Sequence, residues 1–276
     1  MTTCTYERRE TLLHVEHVSA ERDGVVILRD IEAEIRNIVR SDVPHQGQVV
    51  GFLGPSGVGK TTLLRLLAGL DRPTHGRVLL TEEQRPVQAG MVGVVFQSYP
   101  LFEHRRVLDN LLVAARAAGL SRAAAVDRAR SLLARFELEA HANAWPSELS
   151  GGQRQRVAIL QQLLCGHTYL LMDEPFSGLD PVNKARACEL IAEVAGMDER
   201  NTIVLVTHDI GEAIKVSDTL WLMGHERSAA GAVLPGGRLV ESYDLIEREI
   251  AWHAGIERTP RFASLVHEIE DRFTTL

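Results

Sequence analysis

The sequence is poor in cysteine and contains no long apolar run. Only three cysteines occur in 276 residues, Cys4, Cys165 and Cys188, which are too few and too scattered for a disulfide framework or a thiolate metal site. This usage is typical of a reducing, cytosolic compartment. No stretch approaches the roughly 18 apolar residues of a membrane-spanning helix. The N-terminus is polar and charged, without the apolar core of a secretory signal, so we expect any membrane role to be peripheral.

The chain also has no excess of basic residues. Lys and Arg number 30 against 37 Asp and Glu, which gives a formal net charge of −7 and argues against a nucleic-acid-binding domain. A small nucleotide site is still compatible with this charge, because it needs only a few local donors. The apolar fraction of 45% is ordinary for a globular chain. The length suits one α/β domain with an insertion, or two small domains.

Short apolar runs alternate with helical patterns along the chain. Strand-length runs are predicted at 12–18, 25–35, Gln48–Leu53, 76–80, 91–96, 168–172 and 202–206. Helical periodicity follows Gly59 as far as Gly69, and it also covers 107–166 and 183–194. This alternation predicts an α/β fold with a mostly parallel sheet covered on both faces. The helical block in mid-chain predicts a subdomain that packs on that sheet.

The remaining segments have weaker patterns. Residues 37–46, with Pro44, read as a polar surface loop, and residues 235–241 read as a final hairpin. Residues 243–276 are amphipathic and are predicted to be helical. We expect this tail to pack against the core, with a dimer or regulatory contact as the alternative. Its apolar and aromatic candidates are Trp252, His253, Phe262 and Val266.

A glycine-rich segment carries the strongest chemical signal. Residues 54–61 fit the pattern G-x-x-x-x-G-K-[ST], directly after an apolar strand and at the start of a helix. Glycines let consecutive N–H groups turn inward around an anion, and the helix N-terminus adds positive potential. Lys60 can then reach the β- and γ-phosphates, while the Thr61 hydroxyl can bind Mg²⁺. The predicted phosphate contacts are Gly54, Pro55, Ser56, Gly57, Val58, Gly59, Lys60, Thr61 and Thr62.

A nucleotide site of this kind also needs an acid at the end of another buried strand. The apolar run that begins at Tyr169 ends in Asp173 and Glu174. Asp173 is predicted to hold Mg²⁺, directly or through water, and Glu174 to polarise the attacking water. Many strands end in acidic turns, so this signal depends on the phosphate loop for its strength.

The segment 149–156, Leu-Ser-Gly-Gly-Gln-Arg-Gln-Arg, lies shortly before this acidic strand end. With it, the sequence resembles an ABC-type ATPase subunit from residue 12 to residue 241. The resemblance implies a RecA-like P-loop core, an antiparallel β subdomain and an inserted helical subdomain. It also implies that each ATP lies between one subunit's phosphate loop and the partner's signature segment. The signature contacts that it implies are Ser150, Gly151, Gly152 and Gln153.

The resemblance assigns further roles. Gln97 matches a glutamine that senses Mg²⁺, His208 matches a switch histidine at the γ-phosphate, and Asp180 ends a loop that contacts the opposite subunit. Where the family usually places an adenine-stacking aromatic, this chain has Arg22, which leaves the base affinity open. The implied catalytic residues are Glu174, His208, Lys60 and Gln97. The implied metal ligands are Thr61, Gln97 and Asp173.

The resemblance therefore predicts an ATP-binding domain at 12–242, with a core at 12–98 and 167–242, a helical subdomain at 99–166 and an extension at 243–276. The expected function is ATP hydrolysis for an importer of a small anionic or polar solute, similar to the nitrate, sulfonate and taurine group. Polar amino-acid importers share much of the same sequence. The expected cofactors are ATP and Mg²⁺, and the expected place is the cytoplasmic face of the cell membrane.

The resemblance also implies partners. These are integral permease subunits, a second copy of the chain and a solute-binding protein that acts through the permease, but no nucleic acid. Residues 97–110 resemble the surface that relatives offer to a permease helix, with Tyr99, Leu101 and Phe102 as its apolar residues.

Two alternatives stay open. One is a soluble ABC ATPase that drives assembly of a cytosolic complex such as iron–sulfur machinery. The other is a regulatory subunit with little hydrolysis, which is disfavoured because Lys60, Gln97, Asp173, Glu174 and His208 are all present.

Overall fold

The computed structural model describes residues 6–40, 46–80, 85–228, 230–251, 253 and 255–276. Its strands are β1 Tyr6–Arg22, β2 Val25–Arg40, β3 Gln48–Leu53, β4 His75–Leu80, β5 Arg85–Pro86, β6 Gly93–Val95, β7 Tyr169–Asp173, β8 Thr202–Thr207, β9 Thr219–Arg227 and β10 Val233–Asp244. Its α-helices are α1 Lys60–Leu67, α2 Val107–Ala117, α3 Arg122–Arg135, α4 Gly151–Leu164, α5 Pro181–Ala195, α6 Ile210–Val216 and α7 Pro260–Thr275. Short 3₁₀ turns occupy Glu139–His141, Pro146–Glu148 and Ile256–Arg258.

All ten strands join one sheet, in the order β5-β4-β1-β2-β10-β9-β3-β8-β7-β6. Strands β9, β3, β8, β7 and β6 are parallel neighbours. Strands β5, β4, β1 and β2 pair antiparallel. Strand β10 pairs antiparallel with β9 and touches β2 at Gly237. The predicted α/β core with an antiparallel β part is confirmed.

The parallel strands are buried along their whole length. Every residue of β3, β7 and β8 is buried, which explains their continuous apolar runs, because both faces of a parallel sheet are covered. Side chains from the two faces of the sheet pack into two core clusters. One cluster lies beneath the helices and the other beneath the antiparallel strands. In the second cluster, the rings of Phe52 and Trp221 meet edge to face, with their centroids 4.8 Å apart.

Helices α2, α3 and α4 form the block between β6 and β7. They fall inside the predicted subdomain at 99–166, whose limits stay a prediction. A buried asparagine holds the loop before α2. Asn110 Oδ1 accepts from the Phe102 amide at 2.8 Å, and its Nδ2 donates to the carbonyls of Phe102, Arg105 and Arg106 at 3.0–3.2 Å. This loop therefore has a fixed conformation.

The structure differs from the predicted elements in the last third of the chain. Helix α6 and strand β9 were not predicted, and the hairpin expected at 235–241 is one arm, β10, of a longer pair with β9. The polar loop expected at 37–46 is strand as far as Arg40. The residues after Arg40, including Pro44, lie outside the described residues. The end of β2, up to Arg40, pairs with β1. This tertiary pairing outweighs the polar character of the segment, and so the segment forms a strand instead of a loop.

The tail is only partly helical. Tyr243 still belongs to β10, residues 245–251 form turns, and a continuous helix begins only at Pro260. Phe262, Leu265 and Ile269 are buried in the core beneath the helices, whereas Trp252 lies outside the described residues. Within the described ranges, no helix is both long and apolar enough to cross a bilayer.

Candidate nucleotide site

The phosphate loop joins the end of β3 to the start of α1. Gly57 and Gly59 have φ angles of +86° and +101°, which only glycine adopts without strain. A Cβ on Gly54 would lie 2.8 Å from the Met223 carbonyl oxygen, so β9 presses directly against the loop. Gly59 is the N-cap of α1 and offers no side-chain hydrogen bond. The N–H groups of the first turn are therefore not occupied by a side-chain cap, as an anion site requires.

Lys60 lies at the centre of the loop. Its side chain is 7% exposed, and Nζ donates to the carbonyls of Gly54 at 2.9 Å and Pro55 at 3.1 Å. The ammonium is 3.7 Å from Glu174 Oε1. Burial lowers the Lys60 pKa, and the charge of Glu174 opposes that shift. Lys60 therefore shapes the loop and brings a cation to the carboxylate at the end of β7.

Glu174 is held in an unusual backbone conformation. Its φ is +48°, a value that costs energy for a residue with a side chain, and its N–H donates to the Val206 carbonyl at 2.8 Å. The carboxylate Oε2 accepts from Thr207 Oγ1 at 3.1 Å and from His208 Nδ1 at 2.9 Å. Strands β7 and β8 are parallel neighbours, so their carboxyl ends bring the acid and the histidine together.

Asp173 supplies the second carboxylate. It is 8% exposed, and its Oδ1 is buried without a hydrogen-bond partner. Burial, helped by the charge of Glu174, raises the Asp173 pKa, and the neighbouring Thr61 hydroxyl and Lys60 ammonium oppose that shift. A buried carboxylate oxygen beside a hydroxyl oxygen suits a hard cation such as Mg²⁺. The residues present therefore fit the expected metal.

Gln97 is engaged elsewhere. Its Nε2 donates to Ser177 Oγ at 3.0 Å, in the loop that follows Glu174, and no hydrogen bond among the described residues joins it to Thr61 or Asp173. Nearby, the Tyr99 hydroxyl donates to the Pro175 carbonyl at 3.3 Å, and burial raises the Tyr99 pKa to about 12. Gln97 thus connects the loop after β6 to the loop after β7.

The signature cap, residues 150–153, is separate from the phosphate loop. Ser150 caps α4 by accepting from the Gln153 amide at 3.3 Å, and Gln153 Oε1 accepts from the Ser150 amide at 2.9 Å. A Cβ added to Gly151 or Gly152 would meet no atom within 4 Å. In the part of the chain that the structure describes, no hydrogen bond connects this cap to the phosphate loop. The cap faces open space.

Asp180 and Arg22 also lie at the ends of elements. Asp180 caps α5, accepting from the amides of Val182 at 2.9 Å and Asn183 at 3.0 Å, and these backbone hydrogen bonds lower its pKa. Arg22 ends β1 at an exposed turn, and its charge reaches Asp71 just beyond α1. The predicted site residues thus form one cluster around Lys60 and several outlying positions.

Sequence reasoning missed three residues around the site. Thr207 bonds to Glu174, Asn110 holds the loop that begins at Phe102, and the ring of His141 lies 3.0 Å from Gln153 Nε2. Thr207 directly precedes His208, so the predicted switch position could have suggested it. The other two depend on contacts between segments that the sequence does not reveal.

Comparison with known proteins agrees with this geometry. A family model described as "ABC transporter" matches residues 41–177. The aliphatic sulfonates import ATP-binding protein SsuB 1 of Rhodococcus jostii is 42% identical over 193 residues, which are 70% of this chain and 74% of that protein.

The chain belongs to the ABC transporter family. As a member it binds ATP and is an ABC-type ATPase, of the sulfonate-importer-like kind. The methionine import ATP-binding protein MetN 2 of Pseudomonas aeruginosa is 37% identical over 234 residues, 82% of this chain and 66% of that longer protein. A solved structure of cbiO1 from Clostridium perfringens, described as part of the ABC transporter complex cbiONQ, is 25% identical with a TM-score of 0.72. The match covers 95% of this ABC ATPase and 100% of cbiO1.

Proposed function

We propose that this ABC ATPase drives import of a small anionic or polar solute by closing on a second copy of itself around ATP. The observation that carries the proposal is the cluster at the carboxyl ends of β3, β7 and β8. There Glu174 contacts His208, Thr207 and the Lys60 ammonium. A carboxylate, a cation and an imidazole next to a glycine-rich anion loop are the groups that phosphoryl transfer to water requires.

In this proposal each residue has one task. Lys60 and the N–H groups of residues 57–61 hold the β- and γ-phosphates and offset their charge. Glu174 orients the attacking water and accepts its proton. His208, whose side chain is 52% exposed, reaches toward the γ-phosphate from the end of β8. Thr207 and the His208 Nδ1–H fix the direction of the Glu174 carboxylate.

Asp173 and Thr61 are proposed to hold Mg²⁺, which would offset phosphate charge when bound. The unpartnered Asp173 Oδ1 supports this assignment. Gln97 is proposed to join them as a ligand through its amide oxygen, while its amide nitrogen donates to Ser177 Oγ. Because Ser177 follows Glu174 by three residues, Gln97 would then connect metal binding to the loop after the catalytic acid.

The signature cap is proposed to act on the nucleotide of the second copy. The Ser150 hydroxyl accepts one hydrogen bond from Gln153, which leaves its proton free to donate to a phosphate oxygen. The space that a Cβ would occupy on Gly151 and Gly152 is open, so no neighbouring side chain or backbone crowds these two residues on that side. Asp180 is proposed to lie at the same interface. The similarity to import ATP-binding proteins supports permease subunits and a solute-binding protein as the wider assembly.

The permease is proposed to dock on the loop before α2, which places this ATPase at the cytoplasmic face of the membrane. Phe102 is 44% exposed, and Asn110 holds the loop around it in one conformation. An exposed aromatic ring on a fixed loop is a suitable anchor for a partner helix. Leu101 and Tyr99 are only partly exposed beside it.

The dimer mechanism is tested with Glu174→Gln. We expect this variant to bind ATP and to form a stable dimer, measured by light scattering after size-exclusion chromatography, while hydrolysis falls on the order of 100- to 1,000-fold. The same protein with ADP is the control and should stay monomeric. A variant that remains monomeric with saturating ATP and hydrolyses at the parental rate would contradict the role of Glu174.

The transporter assignment is tested by affinity purification from gently solubilised membranes of the native organism. An integral permease recovered in roughly equal amount would support import coupling, and Phe102→Ala should reduce that recovery. Recovery of soluble assembly proteins with an empty membrane fraction would contradict the assignment and favour a cytosolic assembly ATPase.

A further inference from the structure

The hydrogen bonds of the signature cap continue into the 3₁₀ turn Glu139–His141. Within the cap, the Ser150 N–H donates to Gln153 Oε1 at 2.9 Å. A backbone N–H can only donate, so it fixes which end of the Gln153 amide is the oxygen. The amide nitrogen must therefore point away from Ser150, toward its other neighbour.

That neighbour is His141. Gln153 Nε2 lies 3.0 Å from His141 Nε2. An amide nitrogen donates and cannot accept, so the ring nitrogen that faces it must carry a lone pair. Nε2 is then the acceptor of this ring, and Nδ1 is buried without a hydrogen-bond partner. Among the described residues, the hydrogen bond from Gln153 is thus the polar contact that holds this ring.

We infer that His141 is a positioning residue for the signature cap, holding the Gln153 side chain so that Ser150, Gly151 and Gly152 present their donors to the partner-bound nucleotide. The inference rests on the proposed function, because the cap's contact with ATP belongs to that proposal. His141 acts through Gln153 and does not itself reach the nucleotide.

Gln153 then has a structural role in place of a contact with the nucleotide. In the sequence-based expectation this side chain binds the nucleotide, but its oxygen accepts from Ser150 and its nitrogen donates to His141. Both ends of the amide are thus used inside the chain. Gln153 therefore orders the N-terminus of α4, and the exposed donors of the cap are the Ser150 hydroxyl and the glycine amides.

Two substitutions of similar size separate hydrogen bonding from packing. His141→Gln keeps a side-chain acceptor, and His141→Leu fills the same space without one. We expect His141→Leu to lower the ATP hydrolysis rate and to raise the ATP concentration for half-maximal dimerisation in the Glu174→Gln background, each about three- to tenfold, as the loss of one hydrogen bond predicts. His141→Gln should stay within about twofold of the parent.

A double-mutant cycle tests whether the effect passes through Gln153. In a Gln153→Ala background, which removes the connecting amide, His141→Leu should cause no further loss of hydrolysis. An equal loss in both backgrounds would overturn the inference, because His141 would then act by packing alone.

Hydrogen exchange of the nucleotide-free protein tests the same contact without a dimer. His141→Leu should speed exchange of the Ser150 and Gln153 amides about three- to tenfold, while His141→Gln should not. Unchanged exchange in His141→Leu would overturn the inference. If Glu174→Gln alone fails to dimerise with ATP while the exchange result holds, the proposed dimer mechanism fails and the positioning contact stands.

Discussion

The phosphate loop and the signature cap both lie at helix N-termini, but they are supported in different ways. The phosphate loop is surrounded by its own chain: Lys60 contacts Glu174, which follows β7, and Gly54 packs on the Met223 carbonyl of β9. The signature cap depends on a few local bonds between Ser150, Gln153 and His141. One region is assembled by the sheet, and the other is a short ordered surface that offers its donors outward.

This difference implies different consequences of mutation. Damage to the phosphate loop should remove ATP binding by the single chain. Damage to the signature cap should spare that binding and impair only what the proposed dimer does.

Lys60→Ala should weaken ATP binding to the monomer by about 50-fold or more, because a charge-assisted contact to phosphate is lost. The Gly54 and Pro55 carbonyls would lose their donor as well. Titration with a fluorescent ATP analogue measures the change. Lys215→Ala, which removes a lysine paired with Glu212 on α6, should leave the affinity unchanged. Equal ATP affinities for Lys60→Ala and the parent would show that the phosphate loop does not govern ATP binding by the single chain, which would contradict the contrast with the signature cap.

Ser150→Ala should lower hydrolysis about tenfold and leave monomer ATP affinity unchanged, because in the proposed dimer the lost hydroxyl serves the partner's nucleotide. It also removes a helix cap, which costs about 1 kcal/mol of stability. Ser121→Ala is the matched control: Ser121 caps α3 with the same 3.3 Å bond to a backbone amide. If both variants lose hydrolysis equally in a steady-state assay, the cap has no function beyond stability.

Asp173→Asn should make the nucleotide-free protein more stable while abolishing Mg²⁺-dependent hydrolysis. Folding raises the Asp173 pKa, chiefly through burial, so the folded state favours the protonated form. The charged form therefore destabilises the fold once the pH exceeds the carboxyl's ordinary pKa, and this loss is present at neutral pH. We expect the melting temperature at pH 7.5 to rise by about 2 °C, and the gain over the parent to vanish at acidic pH. Asp127→Asn, at an exposed position on α3, is the control; an equal or lower melting temperature for Asp173→Asn would contradict this reading.

Arg22→Tyr should tighten ATP binding by about two- to threefold, because an aromatic ring stacks on adenine better than a guanidinium does. Isothermal titration of the monomer measures it, with Arg22→Ala as the comparison. An unchanged or weaker dissociation constant would show that the end of β1 does not contact the base. The adenine side of the site would then have to be sought elsewhere.

The sequence predicted the features that depend on residues close together in the chain. The pattern around Lys60 defines a strand, a loop and a helix start within one continuous segment, so chain geometry alone places the N–H groups. The contact between Glu174 and His208 needs β7 beside β8, and strand order is a property of the whole sheet. The family resemblance, not the residue pattern, gave both residues roles at the reacting phosphate, and their direct contact was not predicted.

Strand β9 and the hydrogen bond of Gln97 are two features that the sequence did not predict. Residues 220–223 are a short apolar run, too brief to separate from a buried helix by periodicity. Asp218, just before β9, accepts a hydrogen bond from the Val49 amide at 2.7 Å, a contact between distant segments. Gln97 was predicted at the metal, yet its amide bonds to Ser177. The metal role of Gln97 therefore stays a prediction.

The edge-to-face contact between Trp221 and Phe52 gives the protein an intrinsic optical signal. Phe52 precedes Gly54 by two residues, so any shift of the phosphate loop that moves β3 changes the surroundings of a buried indole. Trp145 is 40% exposed and precedes Ser150 of the signature cap by five residues, so a soluble quencher can reach it. Once the third tryptophan, Trp252, is replaced by phenylalanine, the shielded Trp221 and the accessible Trp145 remain. Quenching of their emission would then separate events at the phosphate loop from events near the cap without any attached dye.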